Sequence, residues 1–260
     1  MKLASFWSML LEGTLVPSLV PDAAWDDPLN DAGPARSLAP RLAAWLEPRL
    51  IPGDLQHLRT TSGESRVVVE HVLGVRDGLV WNAEKQRGEK AERVELATAV
   101  VGQRRGDTFD AFRVYFGTWA VLDGNPRARL GPVAPDERAA TKAAMDAMPI
   151  VRKYFDALAA GDAGMVKLFE PDGYFREPAN DFVCGHHALA GHFDHILELG
   201  GVGIEFLTAT REGDRMGLEL QTVQWGKKKM DGPQAGFAIY ELGEHGLLRG
   251  SRVYDSVVPP

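Results

Sequence analysis

The chain has 260 residues, 45% of them apolar and 25% charged, with a formal net charge of −7. That balance belongs to a globular protein able to bury one large core or two ordinary ones, and its acidic sign excludes nucleic acid or an anionic membrane surface as the main partner. A lone cysteine, Cys184, excludes an intramolecular disulfide and suits a reducing compartment, so a cytoplasmic location is expected.

In chain order, Leu3 to Leu11 is apolar until Glu12 breaks it. The run is short of the roughly 20 apolar residues of a membrane span, and no small-residue cleavage site follows it. A first helix packed on the core is expected, and no membrane. Trp25 to Asp31 reads as a turn. Leu38, Leu42, Trp45 and Leu46 follow at i, i+4, i+7, i+8, the apolar stripe of a helix. Ser37 is placed to cap that helix, with Pro40 in its first turn. Strands are predicted near 66–76, 79–87, 94–103 and 109–121. Asn125 to Arg138, with Pro126, Gly131, Pro132 and Pro135, has linker chemistry. Ile150, Val151, Tyr154, Phe155 and Leu158 trace a helix from Pro149 to Gly161. A short helix capped by Asp162 spans 163–169, then come a strand at Tyr174–Glu177 and a helix near 187–199. Four strand-like runs close the chain: Ile204–Arg211, Met216–Trp225, Ala235–Leu242 and Leu247–Asp255, broken at Glu212–Asp214, Lys229–Pro233 and Gly243–Gly246. Lys227 to Lys229 reads as a solvated hairpin tip. Helices first and a strand meander after is an α+β layout.

The chain is also a tandem duplication. Trp25-Asp26-Asp27-Pro28-Leu29-Asn30-Asp31 and Phe175-Arg176-Glu177-Pro178-Ala179-Asn180-Asp181 share one pattern at an offset of 150. Leu38, Leu42, Trp45 and Leu46 match Leu189, Phe193, Ile196 and Leu197 at an offset of 151. Arg113-Val114-Tyr115 recurs as Arg252-Val253-Tyr254, within a gap-free match of Val94–Tyr115 on Pro233–Tyr254. The expected domains are 1–124 and 139–260, joined by a linker at 125–138.

The second copy resembles the SnoaL-like (polyketide-cyclase-like) branch of the nuclear transport factor 2-like superfamily. The features are the helix Val151–Ala160 ending in Ala-Gly-Asp, then Tyr174-Phe175-Arg176-Glu177-Pro178, Gly185 before the Leu189–Leu197 helix, and a last strand on Arg252-Val253-Tyr254-Asp255. The first copy matches more loosely. The resemblance implies two cone-shaped domains, each a strongly bent antiparallel sheet with helices filling its open side, packed as a pseudo-dimer within a monomer. It implies a small apolar molecule as partner, held in the cone, and an isomerase, cyclase or dehydratase type of chemistry without a cofactor. Some members only bind, and others use the sheet as a protein interface, so a binding protein and an interaction scaffold stand as alternatives. The aspartate that follows an arginine on the last strand of epoxide-opening relatives is Val253 here, and Val114 in the first copy.

A cone enzyme needs an ionisable group in a dry pocket. Strand alternation puts Glu219, Gln221, Val223 and Trp225 on one face. If that face lines the cone, Glu219 is the base, with Gln221 and Trp225 as ligand contacts; otherwise it faces solvent. Tyr254 is a candidate donor on the strand that also carries Arg252, and Asp255, two positions past Val253, is a candidate to stand in for the missing aspartate. The recurrence of Arg252 and Tyr254 as Arg113 and Tyr115 suits a structural role better. Four histidines lie between His186 and His195. His192 is the candidate base among them and His187 a ligand contact, while no established zinc spacing is present and no metal is expected. Tyr174, Glu177, Asn180 and Phe193 are expected at the cone mouth or wall, although the Glu177–Asp181 segment also reads as plain turn chemistry. Trp25, Trp45, Trp81, Trp119 and Trp225 can line a cone or fill it.

Overall fold

The structure, a computed structural model, describes residues 3–82, 87–118, 121, 133–177 and 182–254. Asn180, Asp255, Trp119 and the side chain of Trp81 lie outside the described residues. The described residues fall into two compact units, one within 1–127 and the other within 128–260.

The first unit starts with a turn of 3-10 helix, Leu3–Ser5, and α1 (Phe6–Leu11). It continues through β1 (Ala24–Asp27), β2 (Asn30–Pro34), α2 (Ala35–Leu46), β3 (Leu50–Ser62), β4 (Arg66–Asn82), β5 (Arg87–Arg105) and β6 (Thr108–Phe116). The second unit has α3 (Pro135–Ala147), α4 (Pro149–Ala160), a 3-10 segment at Ala163–Leu168, β7 (Phe169–Arg176), β8 (Phe182–Cys184) and α5 (His186–Glu198). Its meander is β9 (Val202–Glu212), β10 (Arg215–Trp225), β11 (Lys228–Leu242) and β12 (Leu248–Val253). Sheet order is β2-β1-β6-β5-β4-β3 in one unit and β8-β7-β12-β11-β10-β9 in the other. The two orders are the same.

The sheets are mixed rather than antiparallel throughout: β1–β6 and β7–β12 are parallel pairs. A strand that joins the far end of the meander through a long crossover is free to run parallel to it. Other details also differ from the sequence reading. β3 was not foreseen because it is an edge strand with almost no buried position and therefore no alternation. β4 runs unbroken through Asp77, which takes a φ of 58°. β11 starts at Lys228, so the tip of that hairpin is Gly226-Lys227. α2 begins at Ala35 after Pro34, so Ser37 is not its cap and Pro40 lies inside the helix. α3 starts at Pro135 and buries only Thr141 and Met145, a stripe too narrow to read as periodic.

Register confirms the duplication rung by rung. Trp25–Phe112–Gly102–Val67 crosses the first sheet; Phe175–Ser251–Tyr240–Met216 crosses the second at the same step. On the opposite face, Arg113–Val101–Val68 matches Arg252–Ile239–Gly217. The match of Val94–Tyr115 on Pro233–Tyr254 is not free of gaps in space. Gly102 shares a step with Tyr240 and Phe112 with Ser251, so the β11–β12 hairpin is one residue longer than the β5–β6 hairpin.

In each unit the helices cover one sheet face. Phe6, Trp7 and Leu10 of α1, with Leu38 and Leu42 of α2, pack on Val67, Val69, Leu73, Val100 and Phe112. Val151, Tyr154, Phe155, Leu189 and Phe193 pack on Met216, Leu218, Leu220 and Tyr240. The opposite faces are also buried, at Val68, Glu70, Val101 and Tyr115 in one unit and at Glu219, Gln221, Phe237 and Tyr254 in the other. Among the described residues, no helix is long and apolar enough to cross a membrane.

Candidate functional site

The helix-facing side of the second sheet brings together two of the ionisable groups singled out by sequence, His192 and Glu177. Leu189, Phe193 and Leu197 recur every fourth residue and seat α5 on the core. That seating turns His192, one residue before Phe193, toward the end of β7. Its Nε2 lies 3.2 Å from Glu177 Oε1, with the two side chains 14% and 34% exposed. The imidazole centroid is 5.2 Å from the ring of Phe175 and 5.1 Å from that of Phe193, and those two phenyl rings meet edge to face at 4.9 Å. The pair therefore sits against an apolar wall, where charge is screened less than in water.

Two further polar groups share this side. Tyr154 of α4 is 2% exposed and packs its ring on Phe169 and Tyr240, each at 5.7 Å. Burial, with the negative charge of Glu177 adding to it, pushes its hydroxyl well above the ordinary tyrosine value, so it stays a neutral hydroxyl. Ser251 is fully buried on the rung between Phe175 and Tyr240, and among the described residues its Oγ has no hydrogen-bond partner. Neither was singled out as a site residue. Tyr154 reads as one more apolar position of an amphipathic helix, and Ser251 as a small residue beside Arg252.

Other expected site residues lie elsewhere. Glu219 is 1% exposed and accepts a hydrogen bond from Thr208 Oγ1. It pairs in register with Phe237 on the face away from the helices and is shielded from solvent. A register shift between Thr222 and Gln224 breaks the alternation, so Trp225 packs on the helix-facing core and does not share the face of Glu219. Gln221 stays with Glu219, its amide 3.5 Å from Glu205 Oε2. Tyr174 is on that face too, since it pairs with Gly250, which pairs with Glu241. Its hydroxyl donates to Glu241 Oε2 at 3.0 Å and accepts from Arg252. Burial foremost pushes that hydroxyl up to about 12. Burial works against ionisation of Glu241 as well, but Arg252, helped by Tyr174 and Arg215, holds its carboxyl below the usual value. Tyr254 packs on Phe237 at 6.1 Å. His187 is exposed on α5 and touches none of this. His186 Nε2 is 2.9 Å from the Phe169 carbonyl oxygen. Among the described residues, no group of three or more His, Cys, Asp or Glu is arranged to hold a metal ion.

The face away from the helices is itself a repeat. Glu70 lies two residues beyond Val68 as Glu219 lies two beyond Gly217, and Arg66 lies two before as Arg215 does. With Arg113/Arg252 and Tyr115/Tyr254, both copies keep two arginines, a glutamate and a tyrosine there. The His192–Glu177 contact has no such counterpart: Arg41 stands where the offset of 151 places His192.

No protein-family model and no curated protein matches the chain. Solved structures do. The chain is similar to a bacterial protein with a cystatin-like fold from Silicibacter pomeroyi, at 21% identity over 41% of this chain and 73% of that one, with a TM-score of 0.34. An NTF-2 like protein of unknown function from Burkholderia xenovorans is similar at 17% identity, covering 48% and 90%, with a TM-score of 0.34. SalBIII, described as an epoxide hydrolase/cyclase-like enzyme in pyran ring formation of salinomycin, is similar at 18%, covering 43% and 91%, with a TM-score of 0.36. On strand order, register and helix placement, each unit has the α+β fold of the nuclear transport factor 2-like kind, and the chain carries it twice.

Proposed function

We propose that the second unit takes a small, mainly apolar molecule against the helix-facing side of its sheet, and that the His192–Glu177 pair moves a proton on it. The observation that carries this reading is the 3.2 Å contact of His192 Nε2 with a glutamate carboxylate beside Phe175 and Phe193. Aromatic walls supply area for an apolar ligand, and imidazole is the side chain whose proton exchanges most readily near neutral pH. A carboxylate on one ring nitrogen fixes the ring and stabilises the imidazolium formed when a proton arrives. Isomerase, cyclase and dehydratase reactions that use no cofactor each include such a transfer: an isomerisation moves a proton from one atom to another, a cyclisation forms the ring bond from the anion that proton loss leaves, and a dehydration loses a proton from carbon and the protonated hydroxyl as water.

The experiment is proton exchange in D2O. Small ketones and aromatic alcohols are incubated with the protein, and the loss of signal from exchangeable C–H positions is followed by NMR. Acceleration by the native protein, falling roughly 10²–10⁴-fold in His192→Gln with binding retained, is the expected result. Binding without exchange leaves a carrier of small molecules. No binding at all removes the ligand from this side of the sheet.

A further inference from the structure

Ser251 is a polar side chain on the helix-facing side of the second sheet whose hydroxyl is not taken up by the fold. It is fully buried, and among the described residues its Oγ has no hydrogen-bond partner. A buried hydroxyl in that condition is costly, and native proteins keep few of them. Its direction follows from the ladder. Ser251 pairs with Tyr240 on one side and Phe175 on the other. Tyr240 packs on Tyr154 and Phe155, and Phe175 packs on His192 and Phe193. Residues in register share a face, so the serine hydroxyl points to the same side as the His192–Glu177 pair.

The first unit shows that the fold does not need a hydroxyl there. The residue at the same step of its β1–β6 pair is Phe112, packed at a tilt against the rings of Phe6 and Trp25. An apolar residue thus fits the position in one repeat, while the repeat that carries the histidine has an unsatisfied hydroxyl in its place. We propose that Ser251 Oγ is the specificity-determining contact of the site: it hydrogen-bonds an oxygen of the ligand and thereby selects oxygen-bearing molecules over hydrocarbons of the same shape. This rests on the reading that a ligand occupies the helix-facing side of the second unit.

Ketone and hydrocarbon pairs of matched shape, led by 2-tetralone and tetralin, test it by ligand-observed NMR on the full chain. The native protein is expected to favour the ketone by about tenfold, the worth of one hydrogen bond between neutral groups. Ser251→Ala is expected to bind tetralin as before and to lose the preference, with an unchanged or higher melting temperature because an orphaned hydroxyl has gone. Ser251→Thr, which keeps the hydroxyl, is expected to keep the preference. A preference that survives in Ser251→Ala overturns the proposal. So does equal binding of the two compounds by the native protein, and that outcome leaves the ligand reading standing. Failure of both compounds to bind the native protein overturns the ligand reading and this inference together.

Discussion

The two units spend the same carboxylate in different ways. In the first, Asp27 is 1% exposed. It takes the Trp25 indole N–H at 2.6 Å, the Leu29 amide at 2.8 Å and the Asn30 side-chain amide at 3.0 Å. Its acceptor capacity goes into closing the β1–β2 turn. In the second, the same place in the pattern holds Glu177, one methylene longer, and the tryptophan is replaced by Phe175, which has no N–H to offer. The carboxylate reaches across to His192 instead. The helix-facing sides differ in step. Phe6, Trp7, Trp25 and Phe112 interlock at 5.2–6.1 Å between ring centroids in the first unit, and Trp7 donates to Thr98 Oγ1 at 3.0 Å. The comparison teaches that a carboxylate is a structural part where local donors saturate it, and is open to chemistry where it faces a titratable side chain such as His192.

The sharpest way to break this contrast is to move the serine. Phe112→Ser carries the residue of the second unit into the ring cluster of the first, removing a fully packed phenyl and leaving a buried hydroxyl. It is expected to cost about 3–5 kcal/mol, the range for large aromatic truncations in a close-packed core, by urea denaturation. A loss under about 1 kcal/mol would mean that the first unit is not filled by its own rings.

Acid separates the units next. Burial foremost lowers the pKa of His71 from its ordinary 6.5 to about 4, and its Nε2 lies 3.0 Å from the Ala4 carbonyl oxygen, next to α1. The folded state binds this proton less readily than the unfolded chain, so the stabilisation is full above pH 6.5 and is lost as pH falls from 6.5 to 4. At about 1.4 kcal/mol per pKa unit the loss is on the order of 3 kcal/mol. Leu220 occupies the matching step of β10, and His71→Leu should flatten the slope in that window. The second unit responds lower down. Glu241 is held below 4.5 in the folded state, so its stabilisation is present above that pH and goes as pH falls further. Denaturation midpoints at pH 7, 5.5, 4 and 3 check both windows.

The residues behind these tests were unequally legible in the sequence. The β9–β12 meander could be read because alternation and turn glycines mark it, whereas β3, polar along an edge, left no signal. Alternation gives two faces but not which one meets the helices, so Glu219 was placed only by the register. The bulge at Thr222–Gln224 that separates it from Trp225 has no mark in residue type. His192 and Glu177 could each be named, but their contact spans 15 residues through the seating of α5 and follows from packing alone. The Glu70/Glu219 repeat was hidden because hairpins and bulges change the offset between copies along the chain.

The carboxylates give the third test. Asp27→Ala strips three donors of their acceptor in a buried turn and is expected to destabilise by about 2–3 kcal/mol. Glu177→Ala, at a side chain 34% exposed, is expected to cost about 0.5 kcal/mol while removing proton exchange on a bound ligand. Equal stability losses from the two would collapse the distinction drawn between them.

The smallest expected difference lies at the glycines that stop the first helix of one unit and α4 of the other. Gly13 follows α1 at φ 71°, and Gly161 follows α4 at φ 66°. Both stand in the left-handed region, where a Cβ costs about 1 kcal/mol through strain alone. Around Gly13 an added Cβ meets nothing within 4 Å, whereas at Gly161 it comes to 3.0 Å from the Leu197 carbonyl oxygen and 3.4 Å from Gly200. Gly13→Ala should therefore cost about 1 kcal/mol. Gly161→Ala should exceed it by a few tenths up to about 1 kcal/mol, because the end of α5 has to give way. α5 is also the helix that holds His192 against Glu177, so the Gly161 variant should weaken ligand binding slightly and the Gly13 variant should leave it unchanged. Thermal melts with ligand titrations on the pair decide it: equal costs with equal binding would show that the packing of α4 on the end of α5 does not help to position the histidine.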